Sequence, residues 1–95
     1  MSDFTNEVIV KVNELQERID KKRKIIAFSR VLNEKKFNKL CSAIFDVQAI
    51  ISECLQYGNY RRACRYIIVA NEIINQIEQR EIQIINKLTS IIVED

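Results

Sequence analysis

Residues that form tight turns are almost absent from this sequence. Its 95 residues include one glycine, Gly58, and no proline. All-β proteins need many tight turns, and those turns depend on glycine, proline and small polar residues. The scarcity therefore excludes an all-β fold and predicts long helices with few connections. At this length the chain is expected to form one helical domain over residues 1–95.

The first segment has the apolar spacing of a coiled coil. Its apolar residues alternate at steps of four and three residues, which is a heptad seam: Val8, Val12, Leu15 and Ile19. Lys22 and Ser29 occupy later positions of the same seam and weaken it. This pattern predicts one long helix over about residues 4–32.

A helical hairpin is predicted to follow. Apolar residues from Phe37 to Leu55 recur every three or four positions, which indicates an amphipathic helix over about 34–57. Asn33 either caps that helix or continues the preceding one. Gly58 is suited to end it because glycine adopts a positive φ at little cost, and Asn59 is a favoured N-cap for a third helix over 59–93.

The third helix carries more apolar seam than its neighbour in the hairpin covers. Nine of its ten seam positions between Tyr60 and Ile91 are apolar, and Glu81 is the exception. A helix of this length spans about 50 Å at 1.5 Å per residue, so the helix over 34–57 covers only part of it. We therefore expect an all-α, three-helix, coiled-coil-like bundle, which oligomerisation or another protein completes.

This excess of seam predicts a surface for a partner helix or a second copy. The predicted partner-interface residues lie at the seam positions of the first and third helices: Val8, Val12, Leu15, Ile19, Ile77, Glu81, Ile84, Leu88 and Ile91.

Charge is unevenly distributed although the net charge is only +2. Residues 1–20 carry five acids and two bases, whereas residues 21–39 carry eight bases and one acid. A second basic group follows Gly58, and cations at a helix N-terminus oppose the helix dipole. These bases predict a patch for an anion or an acidic partner: Lys21, Lys22, Arg23, Lys24, Arg61, Arg62 and Arg65.

The basic patch leaves three interpretations open. It is a solvated collar between the two halves of the first helix, a contact for an acidic protein, or a site for nucleic acid or an anionic membrane surface. For the last interpretation the patch would also include Arg18, Arg30 and residues 35–39. Phe28 and Phe37 lie on predicted apolar faces, so aromatic residues that could stack on bases are missing nearby.

The composition argues against an enzyme, a cofactor and a metal. No histidine is present for a general base or a nucleophilic triad, and one glycine is too few for a phosphate-binding loop. The three cysteines, Cys41, Cys54 and Cys64, lack metal-binding spacing and are expected to be free thiols in a reducing compartment. No signal peptide or membrane-spanning run is visible, so we expect a cytoplasmic protein.

The turn at Gly58 also carries a family resemblance. Residues 55–63, Leu-Gln-Tyr-Gly-Asn-Tyr-Arg-Arg-Ala, combine a helix end, a glycine and a Tyr-x-x-Ala step. They resemble the hairpin in the N-terminal region of vesicle-tethering subunits such as syndetin and its relatives in the Golgi-associated retrograde protein complex. Asn59 stands where that family more often has Asp. Tetratricopeptide repeats and microtubule-interacting-and-transport domains use the same packing.

The sequence thus favours a non-enzymatic module for protein–protein assembly, which acts through its heptad surfaces. The resemblance implies a segment that aligns coiled coils in a tethering complex. Two alternatives remain: a binder of nucleic acid or anionic surfaces through the basic patch, and a small inhibitor, immunity-type or viral regulatory protein.

Overall fold

The chain folds entirely into helices over the residues that the structure describes. The computed structural model describes the backbone of residues 2–32 and 34–94, and all of their side chains except those of Ser2, Arg30, Leu32, Lys87, Leu88 and residues 90–94. Within these limits there are four helices and no strand: α1 Ser2–Lys21, α2 Arg23–Leu32, α3 Lys35–Gln56 and α4 Tyr60–Glu94. The predicted all-α class is confirmed.

The single helix predicted over residues 4–32 is instead two helices, which meet at Lys22. The Lys22 N–H bonds to the carbonyl of Ile19, three residues back, at 3.0 Å. Such a bond tightens the last turn of α1 and marks its boundary with α2. On α2 the polar seam residue Ser29 is buried, and its hydroxyl donates to the carbonyl of Ile26 at 2.5 Å. Ser29 also hydrogen-bonds with Cys41 of α3, so the apolar side of α2 packs on α3.

The connection between α3 and α4 confirms the turn predicted at Gly58. Gly58 has φ of 71°, in the left-handed region that favours glycine. The Asn59 N–H bonds to the Cys54 carbonyl at 2.8 Å and the Gly58 N–H bonds to the Leu55 carbonyl at 3.2 Å, a Schellman arrangement. The Asn59 side chain then accepts from the Arg62 N–H at 3.3 Å and caps α4.

One core lies between the α3–α4 hairpin and the α1–α2 arm. Its apolar side chains come from all four helices, and each is less than one-tenth exposed: Val8, Leu15, Ile19, Ile26, Phe37, Cys41, Ile44, Val47, Ile51, Cys54, Ala63, Ile67, Ala70, Ile74 and Ile77. Ala63 is fully buried near the turn, where a small side chain allows a close approach of two helices. The described core residues of α4 end at Ile77, although the helix continues to Glu94.

The relative direction of the helices follows from side-chain contacts. Arg18 of α1 bonds to Asn71 and Glu78 of α4, and the next turn brings Lys22 to Glu81. Positions on α1 and α4 therefore advance together, so these helices are parallel, while α3 runs antiparallel to α4. The result is a rod with principal extents of 61 × 20 × 16 Å.

Candidate interaction surfaces

The predicted interface on α1 lies inside the chain's own fold. Val8, Leu15 and Ile19 are at most 3% exposed, and Val12 is half-buried against the same core. The heptad spacing was a correct sign of helix packing, but the helix that covers this seam belongs to the same chain. The prediction that these residues contact a partner is therefore wrong for this folded conformation.

The predicted interface residues on α4 fall into two groups: those that contact their own chain and those whose side chains are not described. Ile77 is buried in the core and Ile84 is half-buried at its edge. Glu81 accepts from Lys22 at 3.0 Å, and each side chain is 23% exposed. These three residues therefore contact their own chain, which corrects the prediction for Ile77 and Glu81. The predicted interface residues Leu88 and Ile91 lie outside the described side chains.

Beyond the bundle, α4 continues without cover from α3. Arg80 donates to Glu34 at 2.6 Å, and Glu34 is the residue from which α3 begins. The start of α3 is thereby aligned with Arg80, and α4 extends to Glu94. We define residues 81–94 as the α4 extension. It is about 20 Å long at 1.5 Å per residue.

The α4 extension exposes large apolar side chains near its base. Ile82 is 60% exposed and Ile85 is 50% exposed. Beside them, Lys21, Lys24, Ile25, Phe28 and Glu81 line a shallow hollow. Phe28 is also exposed over nearly half of its surface. Ile82 and Ile85 are thus exposed on α4 beyond Arg80, and Phe28 is exposed in the hollow that Glu81 lines.

Another exposed isoleucine lies farther back on α4. Ile68 is 67% exposed and borders a groove shared with Leu15 and Cys64. This position is inside the part of α4 that packs against α1. A substitution at Ile68 can therefore serve as a control for a substitution of Ile82 or Ile85 in the extension.

The residues predicted as one basic patch are divided between two ends of the bundle. Lys21 to Lys24 lie at the level of Glu81, whereas Arg61, Arg62 and Arg65 lie beside the turn at Gly58. From Ala63 to Glu81 the axis of α4 spans about 27 Å. The predicted patch residues therefore form two separate surfaces.

Within the lysine group, only some of the cations are open to solvent. Lys22 faces Glu81, and Arg23 bonds to Asp20 at 2.9 Å. Hydrogen bonds from Gln16 and Arg23 lower the pKa of the Asp20 carboxyl. Lys21 and Lys24 are exposed, and none of the ion pairs found among the described side chains includes them.

The neighbouring Arg18 is held by α4 rather than presented to solvent. Its guanidinium donates to Asn71 at 2.6 Å, to Asn75 at 3.0 Å and to Glu78 at 3.0 Å. Three acceptors on one face of α4 fix both the rotation of α1 and its position along the helix axis. Arg18 therefore does not belong to a free basic surface. Arg30 lies outside the described side chains.

The arginine group beside the turn is exposed. The Arg62 guanidinium lies over the Tyr66 ring, 5.6 Å from its centroid, a cation–π distance. A hydrogen bond with Tyr66 raises the pKa of Arg62. Arg61 and Arg65 lie one helical turn apart and line a surface that also includes Val69.

The start of α3 carries a second cross-chain contact. The hydrogen bond from Arg80 lowers the pKa of the Glu34 carboxyl, and the N–H groups of Phe37 and Lys36 act in the same direction. Burial opposes this effect. The charged form of Glu34 therefore links the α3 N-terminus to α4.

The cysteines are free, as predicted, and Cys41 and Cys54 are buried. Burial raises the pKa of the Cys41 thiol, against a smaller opposing effect of its hydrogen bond with Ser29. Cys64 is half-buried. The described residues contain no group of three potential metal ligands.

None of the helices, as far as the structure describes them, combines the length and the hydropathy needed to cross a membrane. Comparison of the chain with protein-family models, with curated protein sequences and with solved structures finds no match.

Proposed function

We propose that this chain is a non-enzymatic assembly module that joins proteins through the α4 extension. The observation that carries this proposal is the exposure of Ile82 and Ile85 on a helix that continues beyond its own bundle. Apolar side chains on one face of a helix are the usual anchors for a helix from a partner. Burial of an isoleucine contributes about 1.5–3 kcal/mol, so a partner would gain substantially from covering them.

The bundle gives this extension a rigid base. Arg18 and Lys22 fix α1 on α4, and the pair of Glu34 with Arg80 fixes the start of α3 at the same level. A helix that leaves such a base has a defined direction, and binding then orders few additional residues. This arrangement suits a protein that aligns helices, which is also what the resemblance of residues 55–63 to tethering subunits implies.

Binding of the purified chain to extract from its source cells tests this proposal. The Ile85→Lys variant places a charge on the proposed surface, and Ile68→Lys places the same charge on an isoleucine within the bundle. We expect the wild type and Ile68→Lys to retain a protein, either another chain or a second copy, that Ile85→Lys loses. If all three forms are monomeric and retain the same proteins, the assembly proposal is wrong.

The binding of nucleic acid is a second candidate because Lys21 and Lys24 and the lysines at the start of α3 are exposed, and both groups lie near the level of Arg80 and Glu81 along α4. Binding through phosphate contacts weakens steeply as salt increases. Charge reversal of both Lys21 and Lys24 should then abolish binding to duplex DNA or RNA. Retained affinity in that variant would exclude the lysine group as the site.

A further inference from the structure

The arginine group at the start of α4 has no carboxylate partner among the described side chains. Arg61, Arg62 and Arg65 are exposed, and none of the ion pairs found between described side chains includes them. By contrast, Arg18 and Arg80 of the same bundle are each held by a carboxylate of another helix. The three exposed cations are therefore available to a group outside the bundle.

The position of these cations on α4 is unfavourable for the helix itself. Arg61 and Arg62 lie in the first turn, where positive charge opposes the helix dipole, and this turn contains no acidic residue. Arg61 and Arg65 are four residues apart on one helix, so they repel each other. Charges that break a local rule without a structural gain are expected at functional sites.

The arginines share their face of α4 with an apolar residue. Arg61, Arg65 and Val69 recur at four-residue spacing, which places them along one exposed face at steps of about 6 Å. Val69 is 44% exposed and lines the same surface as the arginines. Glu72 is also exposed and ends the basic part of this face. Along about 16 Å of α4 the face is thus basic, basic, apolar and acidic in turn.

We propose that this face of α4 binds an acidic helix of another protein. The complementary helix presents two carboxylates one turn apart, which pair with Arg61 and Arg65, and an apolar residue one turn further, which covers Val69. Guanidinium groups suit this contact because they pair with carboxylates in a bidentate geometry. The charge of the face therefore determines which partner fits.

The short length of the basic face favours a protein over a nucleic acid. Arg61 and Arg65 span about 6 Å of the helix axis, whereas proteins that bind nucleic acid through its backbone neutralise many phosphates. Carboxylates also lie on two sides of the arginines: Glu72 on α4, and Glu53 on α3, which borders a hollow with Arg62. These acids repel a continuous run of phosphates, but they leave room for two carboxylates.

This face is separate from the α4 extension and does not depend on a partner there. From Arg65 to Glu81 the axis of α4 spans about 24 Å. A helix bound at the arginines therefore leaves Ile82 and Ile85 uncovered. With a second surface at the extension, the 61 Å rod connects two different partners.

Fluorescence anisotropy with a labelled acidic peptide tests this face. The probe is a short alanine-based helical peptide with two glutamates four residues apart and a leucine four residues later, and the control peptide has glutamine at both glutamate positions. The wild type should bind the glutamate peptide in preference to the glutamine peptide, and high salt should weaken that binding. Equal affinity for the two peptides, or no binding of either, would overturn the proposal.

Charge reversal locates the contact. Arg61→Glu and Arg65→Glu should each lower the affinity for the glutamate peptide about tenfold, because attraction becomes repulsion. Lys24→Glu changes the net charge equally at the other end of the bundle and should bind like the wild type. Equal weakening by all three variants would show attraction by net charge alone and overturn the proposal. So would tighter binding of a single-stranded RNA of matched charge through the same arginines.

The stability of Arg61→Glu separates binding from folding. The substitution places an acid in the first turn of α4, where it suits the helix dipole and pairs with Arg65 one turn further. Its midpoint of urea unfolding should therefore equal or exceed that of the wild type while its affinity for the glutamate peptide falls. A lower midpoint would assign Arg61 a structural role and overturn the proposal.

Discussion

Replacement of the pair formed by Lys22 and Glu81 is the most informative perturbation of the bundle. Both are charged residues in seams that are mostly apolar, and they contact each other at 3.0 Å with 23% of each side chain exposed. We consider Lys22→Met, Glu81→Leu and the double variant. Each substitution keeps most of the side-chain volume and removes one charge.

The magnitude follows from the partial burial of the two charges. At an effective dielectric constant of 20, unit charges 4 Å apart attract by about 4 kcal/mol, and desolvation and ordering offset most of that energy. Fully exposed pairs contribute about 0.2–1 kcal/mol, while removal of one partner of a fully buried pair costs about 3–5 kcal/mol. For this intermediate pair we expect a coupling energy of about 1–2 kcal/mol.

Urea unfolding of the four proteins measures this coupling as a double-mutant cycle. Each single variant should lose about 1–2 kcal/mol of unfolding free energy, because it leaves the other charge unpaired at a half-buried position. The double variant should recover most of that loss, since two apolar residues continue the seam.

The exposed pair of Asp20 and Arg23 provides the control. Its two side chains are one turn apart on the surface, so a cycle with Asp20→Asn and Arg23→Met should give a smaller coupling that disappears at high salt. A coupling for Lys22 and Glu81 that is no larger than this control would refute the assigned role of the pair. A double variant that is less stable than both single variants would refute the expectation that the two introduced apolar side chains pack together as part of the apolar seam.

Three further predictions address the turn, the start of α3 and the thiols. Gly58→Ala should lower the unfolding free energy by about 1 kcal/mol through its positive φ alone, because an added Cβ has no atom within 4 Å, and Gly58→Asn should lose less by the same urea assay. The stability supplied by Glu34 should be present above its ordinary pKa of 4.5 and should be lost as the pH falls through its lowered folded pKa. Glu34→Gln should flatten this acid limb of unfolding, and an unchanged limb would contradict the pairing with Arg80. Alkylation followed by mass spectrometry should modify Cys64 first and Cys41 only as the fold opens, so simultaneous modification would contradict the burial of Cys41.

The sequence was sufficient to predict the all-helical class and the hairpin turn. Periodic apolar spacing and a nearly complete lack of turn residues leave few other solutions, and Gly58 followed by Asn59 provides both a helix end and a cap. The break at Lys22 was not predicted, although the weakened seam there was visible. A lysine in a seam does not show whether the helix bends or continues there, because the outcome depends on the side chain that the lysine contacts in the folded chain.

The origin of the covering helix could not be predicted from the seam alone. The burial of Val8 and Leu15 satisfies the same pattern whether the second helix belongs to this chain or to another. The comparison of helix lengths was more successful, because α4 is longer than α3 and therefore extends beyond the part that α3 covers. Two exposed residues at the base of the extension, Ile82 and Ile85, lie beside the predicted seam rather than in it.

The two charged residues in the apolar seams have a shared structural role. Lys22 and Glu81 are 59 residues apart in the sequence, and their contact, together with that of Arg18 and Glu78, sets α1 and α4 parallel and aligned. The preceding residue of α4, Arg80, holds Glu34 at the start of α3. Adjacent residues of opposite charge on α4 therefore align both of its neighbours at one level.

This alignment explains where the bundle ends. An apolar seam by itself tolerates a shift of one heptad along the helix, since isoleucine contacts isoleucine again after such a shift. A shift would separate Lys22 from Glu81 and Glu34 from Arg80 and leave four half-buried charges unpaired. The polar residues thus select the register at which α1 and α3 pack on α4, and that register determines how much of α4 remains uncovered for a partner.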